Sequence, residues 1–265
     1  MPSLRELLGV LRVRHGRLCR CGWGVRLRRR FGYFPPGIYY EAMVSKLVLP
    51  GINWLDVGCG RSILPENPKL AKVLASRCGF LLGIDPDHSV NQNELLHARA
   101  AVPIEQLQTD RRFDLITLQM VAEHIANPES AVSRMAGLTR PGARVVVYTV
   151  HRWSFTSIVS AVTPMWVHHL IKHFLWRTAS GETFPVVYRM NTQSRLSTLF
   201  GANGFRAILF VRLPFCHAFW RFRVLHFFEL LSWKILNTVG VRYPENCILA
   251  VYERVGETVA SVAAS

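Results

Sequence analysis

The stretch Trp54-Leu55-Asp56-Val57-Gly58-Cys59-Gly60 constrains this chain more than any other. An apolar run that ends in an acid and two glycines one residue apart reads as a short strand breaking into a tight loop. Glycine has no Cβ, so Gly58 and Gly60 let the backbone turn sharply and bring its N–H donors against a ligand. That happens at the carboxyl end of a strand, where open α/β sheets bind their ligands. The spacing marks a nucleotide-like cofactor site. A dinucleotide fingerprint would want a third small residue at position 63, but that residue is Ile63, which disfavours a nicotinamide cofactor.

The rest of the chain supplies a sheet for that strand. Asn67 followed by Pro68 predicts a helix start, with the helix running to Cys78. Phe80 to Asp85 predicts a second strand, again ending in an acid. A carboxylate at that tip can accept hydrogen bonds from both hydroxyls of a ribose. Phe113 to Gln119 reads as a buried strand and Pro128 to Leu138 as a helix. Thr139-Arg140-Pro141-Gly142 then turns into a strand from Ala143 to Val150. The short span from Asp85 to Asp114 predicts an abbreviated third strand. A helix over 194–203, a strand over 205–212, a long helix over 218–238 and a last strand over 247–253 complete the pattern. This alternation predicts an α/β fold: a Rossmann-like, doubly wound, seven-stranded, mostly parallel sheet with a helical insertion and an N-terminal extension. At 265 residues, half of them hydrophobic, one well-cored domain is expected. Its divisions are a basic extension over 1–32, the main domain over 33–254 with an insertion over 151–192, and a tail over 255–265.

Four ordered segments carry a resemblance. Asp56-Val57-Gly58-Cys59-Gly60, Gly83-Ile84-Asp85-Pro86, Phe113-Asp114-Leu115-Ile116 through Glu123-His124, and Leu138-Thr139-Arg140-Pro141-Gly142 are similar to the successive motifs of class I S-adenosylmethionine-dependent methyltransferases. The group they resemble most is the small-molecule one related to ubiquinone and menaquinone biosynthesis. The resemblance implies S-adenosylmethionine as cofactor. It implies that Asp56, Gly58, Cys59 and Gly60 hold the methionine part, that Asp85 and Pro86 hold the ribose, and that Gln119, Met120 and Val121 line the pocket beside the sulfonium. Many relatives place an acid just before the third motif to meet the adenine amino group. Here the stretch is Val102-Pro103-Ile104-Glu105, so that contact falls to the Ile104 backbone or to Glu105. His124 is the candidate base or substrate contact, and a histidine that only bonds locally at a helix start is the alternative.

The insertion is rich in aromatics and histidines. It is expected to act as a substrate cap over an apolar or ring-bearing acceptor, with Tyr40, His151, Trp166 and Tyr188 as its contacts, or else as an ordinary subdomain core. His169 and His173 lie one helical turn apart, and Cys19 and Cys21 flank one residue, but neither pair has further ligands nearby, so no metal is expected.

The six cysteines form no regular ladder, and no signal peptide is legible, so a cytoplasmic location is expected, with peripheral association at a membrane as the alternative. The net charge of +15 is concentrated at the start, where nine arginines between Arg5 and Arg30 face one acid, Glu6. Such an arm can contact an anionic membrane or nucleic acid, can be a transit-peptide-like leader, being arginine-rich and acid-poor, or can be a solvated extension. The Phe- and Trp-rich helix over 218–238 is interrupted by charge and cannot span a bilayer, but it can cover a sheet face or lie in a membrane interface. The expected partner is therefore a small-molecule or lipid-linked acceptor. A nucleic-acid methyltransferase is disfavoured, because Gln119-Met120-Val121-Ala122 stands where base amino-methylases carry Asn/Asp-Pro-Pro-Tyr/Phe. A non-catalytic binding protein that keeps the fold is disfavoured by the intact Asp56 and Asp85. The acceptor atom and the oligomeric state are not legible.

Overall fold

A computed structural model describes residues 1–17, 20–152, 186–216, 218–241 and 243–255 of the chain. Its centre is β1 (Asn53–Val57), whose last four residues are all buried. β1 lies parallel to β2 (Phe80–Ile84) on one side and to β4 (Phe113–Gln119) on the other, with Asp56 in register between Gly83 and Thr117. β3 is only Ala98–Ala100, the abbreviation expected from the short span. With β5 (Thr139–Val150), β6 (Phe205–Pro214) and β7 (Glu245–Arg254), the described residues form one seven-stranded sheet of order β3-β2-β1-β4-β5-β7-β6. Only β7 is antiparallel to its neighbours.

Alternation along the strands assigns the two faces. Trp54, Leu81, Leu115, Val146 and Leu249 point to a core shared with α1 (Leu4–His15), α3 (Pro36–Leu47) and α4 (Pro68–Arg77). Leu55, Leu82, Ile116, Val145 and Ile248 point to the opposite core under α5 (Pro128–Leu138) and α6 (Gln193–Ala202). The expected turn at 139–142 survives as an irregularity inside β5. Phe113 pairs with Thr139 and Leu115 with Arg144, so the intervening residues loop out, with Gly142 at φ +81°.

The N-terminal segment is not a solvated arm. Ser3 and Glu6 cap α1 reciprocally, and Leu7, Val10 and Leu11 are buried in the core. Arg14, at the far end of α1, pairs with Glu41 of α3 and, at 2.9 Å, with Glu66. Glu41 also accepts from Asn67 Nδ2 at 2.8 Å, and Asn67 is itself the N-cap of α4. α2 (Trp23–Phe31) carries the arginine cluster and ends in the left-handed Gly32.

The late helix, α7, spans Arg223–Thr238 rather than 218–238. The buried Glu229 carboxylate accepts the N–H groups of Ala218 (2.9 Å) and Phe219 (3.5 Å), which folds the preceding residues into a turn.

Candidate functional site

At the carboxyl ends of β1, β2 and β4 lies a cavity of about 580 Å³. Its walls are mainly apolar, with Val57, Ile84, Val102, Ile104, Val121 and Ile125 among them. Asp85, Glu105 and His124 supply the ionisable groups, and Gly58, Pro86 and Met120 complete the set brought together from the sequence reading.

Gly58 has φ +69°, and a Cβ built there would stand 2.2 Å from Val121 Cγ2. The glycine is needed so that the segment after β4 can close over the loop after β1, a contact between residues distant in sequence. The loop donors do not point at the cavity. Gly58 and Cys59 donate to the Ile84 carbonyl at 2.7 and 3.2 Å, and Gly60 donates to Asp85 Oδ2 at 3.0 Å. The expectation that these N–H groups face a ligand is corrected accordingly: they tie the ends of β1 and β2 together and orient Asp85.

Asp85 also accepts from Asp87 N–H at 2.8 Å on Oδ1. A carboxylate has about four acceptor positions, so two remain on a side chain already held in place.

Asp56, Cys59, Gly60 and Gln119 are not among the residues that line this cavity. Asp56 is 2% exposed and accepts from Thr117 Oγ1 at 2.5 Å, and that hydroxyl in turn accepts from Trp54 Nε1 at 2.7 Å. Burial pushes the Asp56 carboxyl up to about 8; the Thr117 hydrogen bond opposes this, and Asp85 adds to it. Cys59 packs on Gly83, and its thiol is pushed far up by burial and by the two aspartates, which makes it unreactive. Gln119 Oε1 is buried without a partner.

The cap residues are dispersed. Tyr40 is fully buried and stacked on Tyr148 at 5.3 Å, so it is a core residue and not part of the cavity wall. His151 follows β5, donates its N–H to Asn246 O at 2.7 Å and is shifted down by burial and by Arg212. Trp166, His169 and His173 lie outside the described residues.

The flanks of the insertion are described, and they are clamped. Arg152 N–H donates to Asn191 O at 3.1 Å. Asn191 Nδ2 reaches Thr149 Oγ1 at 2.6 Å and Val150 O at 2.9 Å. Tyr188, held at φ +49°, and Val187 both donate to Glu123 O. Both ends of the insertion therefore meet beside the segment 123–126, three residues of which line the cavity.

The Glu123 carboxyl accepts from Thr149 Oγ1 at 2.5 Å and is pushed up by burial, against that bond and the neighbouring His124. Asn127 and Ser130, at the start of α5, also line the cavity and were missed in the sequence; the Asn127-Pro128 helix start was the available signal.

The profile of a methyltransferase domain family matches residues 27–209. The chain is 26% identical over 157 residues to the mitochondrial ubiquinone biosynthesis O-methyltransferase of Dictyostelium discoideum, covering 49% of each. It is 33% identical over 108 residues to the ubiquinone biosynthesis O-methyltransferase of Aeromonas salmonicida, covering 38% of this chain and 44% of the relative. The chain thus spans about half the length of the curated relatives it matches. Among solved structures, the SAH-bound magnesium protoporphyrin IX methyltransferase of Synechocystis PCC 6803 superposes with a TM-score of 0.50 at 14% identity, over 93% of either chain. That likeness is one of fold.

Proposed function

The chain belongs to the methyltransferase domain family, and from that premise we propose that it transfers a methyl group from S-adenosylmethionine to an oxygen, nitrogen or carbon of a small or lipid-linked acceptor. The observation that carries this reading is Asp85. It is a preoriented carboxylate with unused acceptor positions, on the wall of an apolar cavity at the carboxyl edge of a parallel sheet. Its chemistry fits the ribose diol of an adenosine, and the apolar walls fit a purine.

When bound, S-adenosylmethionine supplies an electrophilic methyl carbon on its sulfonium. Asp85 accepts from the ribose hydroxyls, and Glu105, on the same wall, accepts from the adenine amino group. Val121 and Ile125 exclude water, and the close seat of Val121 on Gly58 fixes where that wall stands. Methyl transfer needs in-line placement of the acceptor and, where the acceptor atom carries a proton, a base. His124 lines the cavity, which supports it as the base that takes that proton. The insertion, anchored at 123–126 and at Asn191, supplies the acceptor side.

The relatives named for ubiquinone biosynthesis support an acceptor that is ring-bearing and attached to a lipid. Such an acceptor would be met at a membrane surface, by peripheral contact.

The test is titration calorimetry with S-adenosylmethionine and S-adenosylhomocysteine, followed by methyl-transfer assays on phenols, amines and carboxylic acids, each free and lipid-linked. Absence of binding to either cofactor form defeats the proposal. Tight binding without transfer to any class would favour a non-catalytic binding protein.

A further inference from the structure

α7 is apolar on the wrong side. Its inward face, His226, Glu229, Leu230 and Trp233, packs toward Tyr33, Cys216 and α2. Its outward face carries Val224, Phe228 and Ile235, at 67%, 56% and 53% exposure, and its C-cap Val239 adds 65%. A helix that is apolar on two opposite faces normally has a neighbour on each. The turn before it adds Trp220 and Phe222 to the same exposed region.

The outward charges of α2, of α7 and of the described turn before α7 have one sign. Arg221, Arg223 and Lys234 flank the apolar stripe, and Arg26, Arg29 and Arg30 project from α2. α2 has no acid, and the single acid of α7, Glu229, is turned inward onto His226 (2.8 Å) and the 218–219 N–H groups. The two helices form one surface, because Phe31 meets Phe227 edge-on at 5.4 Å and Trp23 meets His226 at 6.2 Å. Where they join, Trp23, Arg28, Trp220 and Arg221 line a groove of about 380 Å³.

We propose that the α2–α7 surface docks in the interface of an anionic lipid bilayer, with α7 lying in the membrane plane and the α2 arginines on the headgroups. Large apolar side chains on an exposed helix, rimmed by arginine and flanked by tryptophan, are what an interfacial helix requires. The helix does not span: at 16 residues it is about 24 Å long, and among the described residues no helix is long and apolar enough to cross. A two-fold contact between copies through this face would set arginine against arginine. Nucleic acid would reward the arginines but gain nothing from Val224, Ile235 and Val239.

The topology places the surface usefully. β6 is parallel to β5, so the turn after β6 leaves the sheet at the edge on which the cavity lies. The docking deepens the lipid-linked reading of the acceptor, yet it is measured without any methyl transfer.

The experiment is flotation of the full chain with phosphatidylcholine vesicles, with or without phosphatidylglycerol, across a salt series. Cofactor affinity by calorimetry serves as the independent control of the site. Salt-sensitive binding that needs phosphatidylglycerol is expected. Arg29→Gln with Arg30→Gln should weaken it about thirtyfold, at about fivefold per arginine. Phe228→Asp, or Val224→Asp where the first fails to fold, should abolish it while cofactor affinity stays intact. The proposal is overturned by no flotation on anionic vesicles at low salt. It is equally overturned by undiminished flotation of a folded Val224→Asp variant, or by light scattering that shows a dimer which Phe228→Asp dissociates.

Discussion

Replacement of Asp56 by Asn tests the electrostatics of the β1 terminus directly. The carboxyl is 2% exposed, accepts one hydrogen bond from Thr117, and feels Asp85 rather than a cation among the described charges. With its pKa pushed from 3.8 to about 8, the native protein keeps a proton at neutral pH that the unfolded chain has released. A group raised in the folded state contributes stability that is fully present below the unfolded value and is lost as pH rises through the folded value. Stability should therefore fall between about pH 4 and pH 8, by about 1.4 kcal/mol per pH unit from this residue, or about 3 kcal/mol between about pH 5 and pH 7. Glu41 and Glu123 are shifted the same way, so the wild-type slope alone is not diagnostic. Asn has the shape of the neutral acid and can accept from Thr117. The variant should therefore lose only the Asp56 share, so that the two curves diverge up to about pH 8 and run parallel beyond it. Urea unfolding followed by tryptophan fluorescence at a series of pH values measures this. Parallel curves throughout would mean that Asp56 is ionised in the native state, and the account of its burial would be wrong. If the cationic methionine end of the cofactor settles beside Asp56, binding should also release a proton, seen by calorimetry in buffers of different ionisation enthalpy and absent in Asp56→Asn.

Three further outcomes follow from the geometry. Gly58→Ala should cost about 1–2 kcal/mol for the left-handed backbone and a further 1–3 for the collision with Val121, with Val121→Ala in the same chain recovering only the second part; no recovery would dismiss the contact. Asp85→Ala should weaken S-adenosylmethionine by about 1.5–3 kcal/mol in calorimetry and also lower stability, since Gly60 and Asp87 lose their acceptor; unchanged affinity would remove the ribose role. Arg14→Ala strands the buried Glu41 and should cost about 3–5 kcal/mol near neutral pH, less as falling pH protonates Glu41, and the same loss at every pH would contradict the ion pair.

The parts of the fold that were legible are those set by local pattern. β1 and β4 run as read, because apolar strand residues are closed off by glycine, acid or a polar end. α4 and α5 start where Asn-Pro puts a side-chain acceptor and a preset φ together. The lining of the candidate site was legible where a strand end decides it, as with Asp85, Met120 and Val121. It was not where the partner is remote: the Ile84 carbonyl that takes the Gly58 and Cys59 donors belongs to another strand, and neither this nor the seat of Val121 on Gly58 has a local signature. Tyr40 failed for a related reason. A helix phase error of one residue moves a side chain from rim to core, and here it stacks on Tyr148. The start of α7 failed because an inward carboxylate, Glu229, competes for the N–H groups of its first expected turn.

The N-terminal segment was misread because composition outweighed period. Nine arginines suggest a solvated arm, yet Ser3-x-x-Glu6 is a capping box, and Leu7, Val10 and Leu11 fall on one helical face. That face decides how the basic surface has to be tested. Three buried Leu or Val side chains at about 1.5–3 kcal/mol each amount to about 5–9 kcal/mol, comparable with the whole stability of a domain. Removing residues 1–30 would therefore strip a wall from the core and unpair Glu41, and any lost membrane contact would report unfolding. The arginines relevant to a lipid surface are on α2, which adds no residue to the main core, and exposed substitutions there separate charge from stability.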